Sequence, residues 1–336
     1  MNPAASGLPF DDIRNLLGNP PPMEAEAVDL ARRRLAKLAL GEGGPGRLGE
    51  LAVWLAGWQA AEEPQLGRPL IAIFAGSHGV AARGASDFAP GATQTMMEVV
   101  AGGGAAVNQI AQQYDAGLKV FDLALDLPTP DITQADALEE DACAATMAFG
   151  MESIAGGTDL LCVGALGMGG RVPAAAVAAK LLGGNGRDWI DGEGALAARR
   201  IALVDAVLAH HAVIPSDPLE VLRRMGGREL AAIAGAIIAS RYQRIPVLLD
   251  GFVSGVAALV LERLAPGMTD HCLAASASGT PAHDRLLAEL GKEPLSRTGI
   301  TLDDGTAAAS GIGLLRSAAA ILNGMVEAEQ AGIAAI

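Results

Sequence analysis

Aromatic side chains are scarce in this chain: six Phe, three Trp and two Tyr make up 3% of its 336 residues. A core with so few rings must be aliphatic, and 43 glycines together with alanine-rich faces let helices approach one another closely. That composition argues against a β-sandwich and for layered helices. Basic residues are also few, 24 Lys and Arg against 38 Asp and Glu, for a net charge of -14. Such a chain repels nucleic acid and anionic membranes, so the expected partner is a small molecule or another protein. Cysteine is limited to Cys143, Cys162 and Cys272, an odd number widely spaced in apolar context. This excludes a disulfide framework and gives no metal-ligand spacing, so the thiols are expected to be buried in a reducing compartment and no metal or cofactor is expected. Membrane-length apolar runs are missing as well: Ala231 to Ala239 is too short, and Asp250 interrupts the next run. The opening "MNPAASGLPFDDIRNLL" lacks the basic-then-apolar pattern of a signal peptide, and a cytoplasmic location is expected.

What is present is a regular alternation. Short aliphatic runs at 70–76, 118–125, 159–164, 245–251 and 271–276 each lead into Gly or Ser and then a helix-length stretch. Continuous apolar strands alternating with helices predict a Rossmann-like, mostly parallel sheet covered on both faces. Ligands of such sheets bind beyond the strand carboxyl ends, where "GSHG", "GALGMGG", "DGF" and "SASG" should cluster. Residues 1–60 read as helices, with "AVDLARRRLAKLAL" strongly periodic, a "GEGGPG" break, and a further helix holding Trp54 and Trp58. Three helical stretches follow across 185–241, separated by "GRDWIDGEG", "IPSDP" and "MGGRE". The expected division is a smaller helical domain from 1–60 with parts of 185–241 and 306–336, and an α/β domain from 61–184 and 242–305.

Several residues carry chemistry. His78 sits in a strand-to-helix turn, where bonding to the turn backbone is favoured over a role as base or ligand. His210 and His211 end a helix and suit its dipole, and His271 and His283 flank "CLAASASGTPA". Asp303 and Asp304 precede a small-residue helix: one caps it, and the other is a candidate general base. The "GALGMGG" turn can cradle an anion with backbone N–H groups, assisted by Arg171.

Taken together, these segments resemble the nicotinate-nucleotide:dimethylbenzimidazole phosphoribosyltransferases of cobalamin lower-ligand assembly. "IFAGSHGVAARGAS" resembles the family's AGDHGV or AGNHGV turn, and "AGGGAAVNQIA" its GGAAIN segment. "MGGRELAAIAGAIIAS" and "IPVLLDGFVSGVAAL" are similar to its GG-x-E-IAA-x-AGA and LDGF stretches. The resemblance implies a Rossmann-like sheet, a homodimer in which each subunit helps close its neighbour's site, and no metal or cofactor. It implies transfer of ribose 5-phosphate from nicotinate mononucleotide to the benzimidazole base, with inversion, giving α-ribazole phosphate. It places Asp304 on the general-base position and Ser86 in the base pocket. Gly164, Leu166, Gly167, Gly169, Gly170, Arg171, Arg200, Asp303 and Gly305 fall around the base and the ribose phosphate.

The chain departs from the family at the site. GEMGIGNTT becomes "GALGMGGRV", so Ala165, Gly170, Arg171 and Val172 replace the glutamate, the asparagine and two threonines. RLGEG[ST]GA becomes "TLDDGTAA", which shortens the base by one methylene and turns a glycine into Asp303. H-x-S-x-E-P-G-H becomes "SASGTPAH", keeping Ser278, Pro281 and His283 but placing Ser276 and Thr280 at the histidine and glutamate positions. These changes imply weak transfer. The alternative they raise is a catalytically inactive paralogue that binds a base or nucleotide, or that serves as partner subunit of an active copy.

Overall fold

The computed structural model describes residues 9–40 and 43–333. The first eight residues, on which part of the signal-peptide reading rests, and part of the "GEGGPG" break lie outside them. In chain order come α1 (Pro9–Leu17), α2 (Ala25–Lys37), α3 (Gly46–Gln59), β1 (Pro69–Ala75), a 3-10 turn at Gly79–Arg83, α4 (Ala92–Ala101), α5 (Ala106–Gln113) and β2 (Gly117–Asp122). Then follow α6 (Glu140–Glu152), β3 (Leu160–Leu166), α7 (Arg171–Leu182), α8 (Gly186–Trp189), α9 (Gly194–His210), α10 (Pro218–Met225) and α11 (Arg228–Tyr242). The chain continues through β4 (Val247–Leu249), α12 (Gly251–Leu264), β5 (Cys272–Ala274), α13 (Pro281–Glu289) and α14 (Thr306–Gly324).

All five expected strands form one parallel sheet in the order β2-β1-β3-β4-β5. Because side chains alternate along a strand, one register row faces one side and the next row the other. Leu70, Leu161 and Val247 share a row and join the core under α1, α6, α7 and α9 to α12. Ile71, Cys162 and Leu248, one residue on, join the core under α2 to α5 and α14. Both faces are therefore apolar at β1, β3 and β4, which is why these strands read as unbroken hydrophobic runs, while β2 at the edge is half-buried and carries Lys119 and Asp122. The four-residue α8 was not expected. It lies inside the "GRDWIDGEG" separator, where Asn185 and Asp188 form a capping box.

Alanine and glycine set the helix spacing as composition predicted. A Cβ on Gly150 would strike the backbone of Ala232, and one on Gly235 the backbone of Met147, so α6 and α11 touch main chain to main chain. All three cysteines are buried free thiols, and burial pushes Cys143 and Cys272 up to about 12. No helix among the described residues is long and apolar enough to cross a membrane.

Candidate active site

A cleft of about 890 Å³ opens beyond the carboxyl ends of the strands, between the 165–171 turn, the loop 301–304 and the start of α4. Ser86, Leu166, Gly167, Gly169, Gly170, Arg171, Arg200, Asp303 and Asp304 all line it. Gly164 and Gly305, also singled out from sequence, meet each other behind the wall instead. A Cβ on Gly164 would run into the Gly305 backbone and reach Asp304 C at 2.6 Å, and Gly305 has φ +93°. Their smallness lets the late-motif loop dock on β3, where Ala165 N–H donates to Asp303 O at 2.7 Å.

Two carboxylates serve the N-terminus of α14. Asp304 Oδ1 accepts the Thr306 N–H at 3.0 Å, so the contact with the helix start falls on the candidate base itself, whereas the sequence reading gave cap and base to different aspartates. Asp250, between β4 and α12, accepts from Gly305 N at 2.9 Å and Ala308 N at 2.6 Å. Burial is complete around Asp250 and, outweighing those two donors, pushes its carboxyl up to about 7, with Asp303 and Asp304 adding like charge. The sequence signalled it as the aspartate of "LDGF" and as the charge that interrupts an apolar run, without a role in the site.

Asp303 occupies the left-handed region, at φ +59°. Its Oδ1 accepts the N–H groups of Phe252 at 2.7 Å and Val253 at 3.2 Å, at the start of α12. Its Oδ2 meets Arg171 Nη1 at 3.2 Å, while Arg171 Nη2 meets Asp191 Oδ2 at 3.2 Å. Arg171 also lies over the Phe252 ring at 4.2 Å. Its charge is thus committed to two aspartates. Arg200 bonds Ala85 O through Nε at 2.7 Å, and among the described residues its terminal nitrogens make no further bond. Burial, then the neighbouring Arg171, lowers the Arg200 pKa. Asp191, which sequence analysis missed for want of any pattern around it, also holds the Ala282 N–H at the start of α13.

The histidines require corrections. His78 does not bond the turn backbone: its Nε2 lies 3.1 Å from Glu229 Oε1, with both side chains buried. Glu229 also lines the cleft and was missed, because its partner is remote in sequence. His211 is no exposed helix-end cation; it is buried against Ile132 O at 3.0 Å, and burial lowers its pKa. His271 is buried against Ile237 O and pushed down to about 3 by burial. His283 Nδ1 meets Ser278 Oγ at 2.9 Å, next to Thr280 at the cleft edge.

A family model described as phosphoribosyltransferase matches residues 20–333. A Rhizobium johnstonii protein named nicotinate-nucleotide–dimethylbenzimidazole phosphoribosyltransferase is 52% identical over 334 residues, 98% of each chain. A Sinorhizobium fredii protein of the same name is 51% identical over 98% of each. A Thermus thermophilus crystal structure of that enzyme superposes with a TM-score of 0.86 at 33% identity, covering 94% of this chain and 100% of the other. Nothing in these matches supports the alternative of an inactive copy. With the sheet, the cleft and near full-length identity in agreement, the chain belongs to the nicotinate-nucleotide–dimethylbenzimidazole phosphoribosyltransferase family.

Proposed function

We propose that this protein transfers ribose 5-phosphate from nicotinate mononucleotide to a benzimidazole base, giving α-ribazole phosphate and nicotinate, in assembly of the cobalamin lower ligand. The observation that carries the reading is the convergence of Asp304, the Leu166 wall and Arg200 on one cleft. The unprotonated ring nitrogen of the base attacks C1′ of the ribose. The C1′–N bond to the pyridinium breaks, its electron pair stays on the leaving nicotinate, and the N–H proton of the base passes to Asp304. Thr306 N–H fixes Asp304 Oδ1, which leaves Oδ2 to receive that proton. Ser86, Met96, Leu166 and Met168 give the flat base a largely apolar slot.

The phosphate falls to Arg200 and to the N-terminus of α7, which no side chain caps. Arg171 holds the loops carrying Asp191 and Asp303 together. Gly164 and Gly305 shape the wall. Phe88, 68% exposed, and Leu302, 57% exposed, stand at the cleft, an arrangement that suits closure by a second copy of the chain in a homodimer. Chromatography of reactions containing nicotinate mononucleotide and dimethylbenzimidazole tests the reading. The expected result is enzyme-dependent α-ribazole phosphate, and its absence overturns the proposal.

A further inference from the structure

Beneath the glycine turn lies a polar pair that the chemistry above does not use. His78 and Glu229 are 3.1 Å apart, with side chains 1% and 2% exposed. Among the described residues neither ring nitrogen of His78 and neither carboxylate oxygen of Glu229 makes a hydrogen bond of good geometry. Buried carboxylates in folded proteins are paired with donors, because burying one without them is costly. One imidazole at poor angle does not satisfy Glu229.

Four glycines let the backbone close directly over the pair. A Cβ on Gly167 would come within 3.0 Å of His78 Nε2, and one on Gly170 within 3.1 Å. A Cβ on Gly227 would lie 2.6 Å from His78 Cε1 and 2.7 Å from Glu229 Oε2, and one on Gly76 would strike Glu229 Oε2 directly. Gly167, Gly170 and Glu229 all line the cleft, and the carboxylate oxygens lie buried directly beneath its floor.

We infer that Glu229, oriented by His78, accepts a hydrogen bond from a ribose hydroxyl of the bound nucleotide. The inference rests on the function proposed above, and it follows from counting ligand donors. The phosphate and the nicotinate carboxylate are acceptors, the pyridinium nitrogen has no proton, and the N–H of the base goes to Asp304. Only the ribose hydroxyls remain to satisfy a buried carboxylate. Glu229 is therefore a binding residue for the sugar, and His78 is a positioning residue that acts through it. A carboxylate at this place also favours the positive charge that develops on the ribose as nicotinate departs.

The test compares nicotinate mononucleotide with its 2′-deoxy and 3′-deoxy analogues in wild type, Glu229→Ala, Glu229→Gln and His78→Gln, each checked for folding by circular dichroism. Wild type should lose about tenfold to a hundredfold in kcat/KM on at least one deoxy analogue. Glu229→Ala should lose a similar factor on the parent nucleotide and discriminate little between the substrates. His78→Gln should reduce the discrimination while leaving KM for the base unchanged, a readout that a merely structural role would not move. Discrimination as strong in Glu229→Ala as in wild type overturns the inference. If that variant does not fold, the isosteric Glu229→Gln is decisive by the same ratio. Should wild type transfer nothing at all, the functional reading fails separately, and calorimetry with ribose 5-phosphate still reads Glu229. Weaker binding by Glu229→Gln then sustains the inference, and equal binding overturns it.

Discussion

Arg171 and Asp303 meet at 3.2 Å across the cleft wall, joining the start of α7 to a loop that precedes α14. The sequence resemblance set a threonine and a glycine at these two positions, and the arginine and aspartate that stand there pair with each other. An aspartate at φ +59° is strained unless its side chain is engaged, and here it caps α12 and receives the guanidinium. Arg171→Ala should therefore lower unfolding free energy by about 2 kcal/mol. Combining it with Asp303→Gly should cost less than the sum of the single changes, since glycine accepts the backbone conformation. Urea unfolding of the two single variants and the double variant measures the coupling, and additive losses would contradict it.

Asp304→Asn keeps a side-chain oxygen for the Thr306 N–H but removes the proton acceptor. Product formation should fall by a factor of about a hundred or more while the melting temperature is nearly unchanged. A fully active Asp304→Asn protein would remove the residue from the mechanism.

Asp250 gives the fold a pH dependence of definite sign. Its carboxyl is raised from 3.8 to about 7 in the folded chain, so the folded state holds a proton that the unfolded state has released. This contribution to stability is complete below the unfolded value, near pH 4, and is lost as pH rises through about 7. Across pH 5 to 7.5, Asp250→Asn should gain on wild type by on the order of 1–3 kcal/mol, as read from urea midpoints at each pH. A difference that stays constant over that window would refute the assignment.

At the backbone contact of α6 and α11, Gly235→Ala inserts a methyl where Met147 main chain already lies. The expected loss is about 1–3 kcal/mol or more, seen as a lower melting temperature. An unchanged melting temperature would show that the two helices can separate without cost.

Light scattering at micromolar concentration should give twice the chain mass of 34.0 kDa. Replacing Phe88 and Leu302 with serine should weaken the association, because both present large apolar surface beside the cleft. A species of single-chain mass alone would remove the second copy from the site.

The strands and most helices were legible because each carries a local signal: unbroken aliphatic runs for a sheet covered twice, and periodicity or punctuation for the helices. Nine of the residues lining the cleft were found through motif resemblance, since their spacing is diagnostic even where the side chains have changed. What escaped was contact between remote segments. Nothing local joins His78 to Glu229 or Arg171 to Asp191, and the buried surroundings of His211 and His271 come from packing against other elements. The one-turn helix at Gly186–Trp189 depends on its Asn185 and Asp188 cap and on Gly186 lying against Ile201, which composition cannot show.

Helix α14 both carries the Asp304 loop at its head and covers the sheet face formed by Ile71, Ile73, Cys162 and Leu248. Synthesis runs from the amino end, so this helix leaves the ribosome after every strand it shields. Until then the nascent chain holds a wide greasy surface open, and release of an incomplete product would leave that surface free to clump with its neighbours. The segment that completes the chemistry is thus also the last to cover this face.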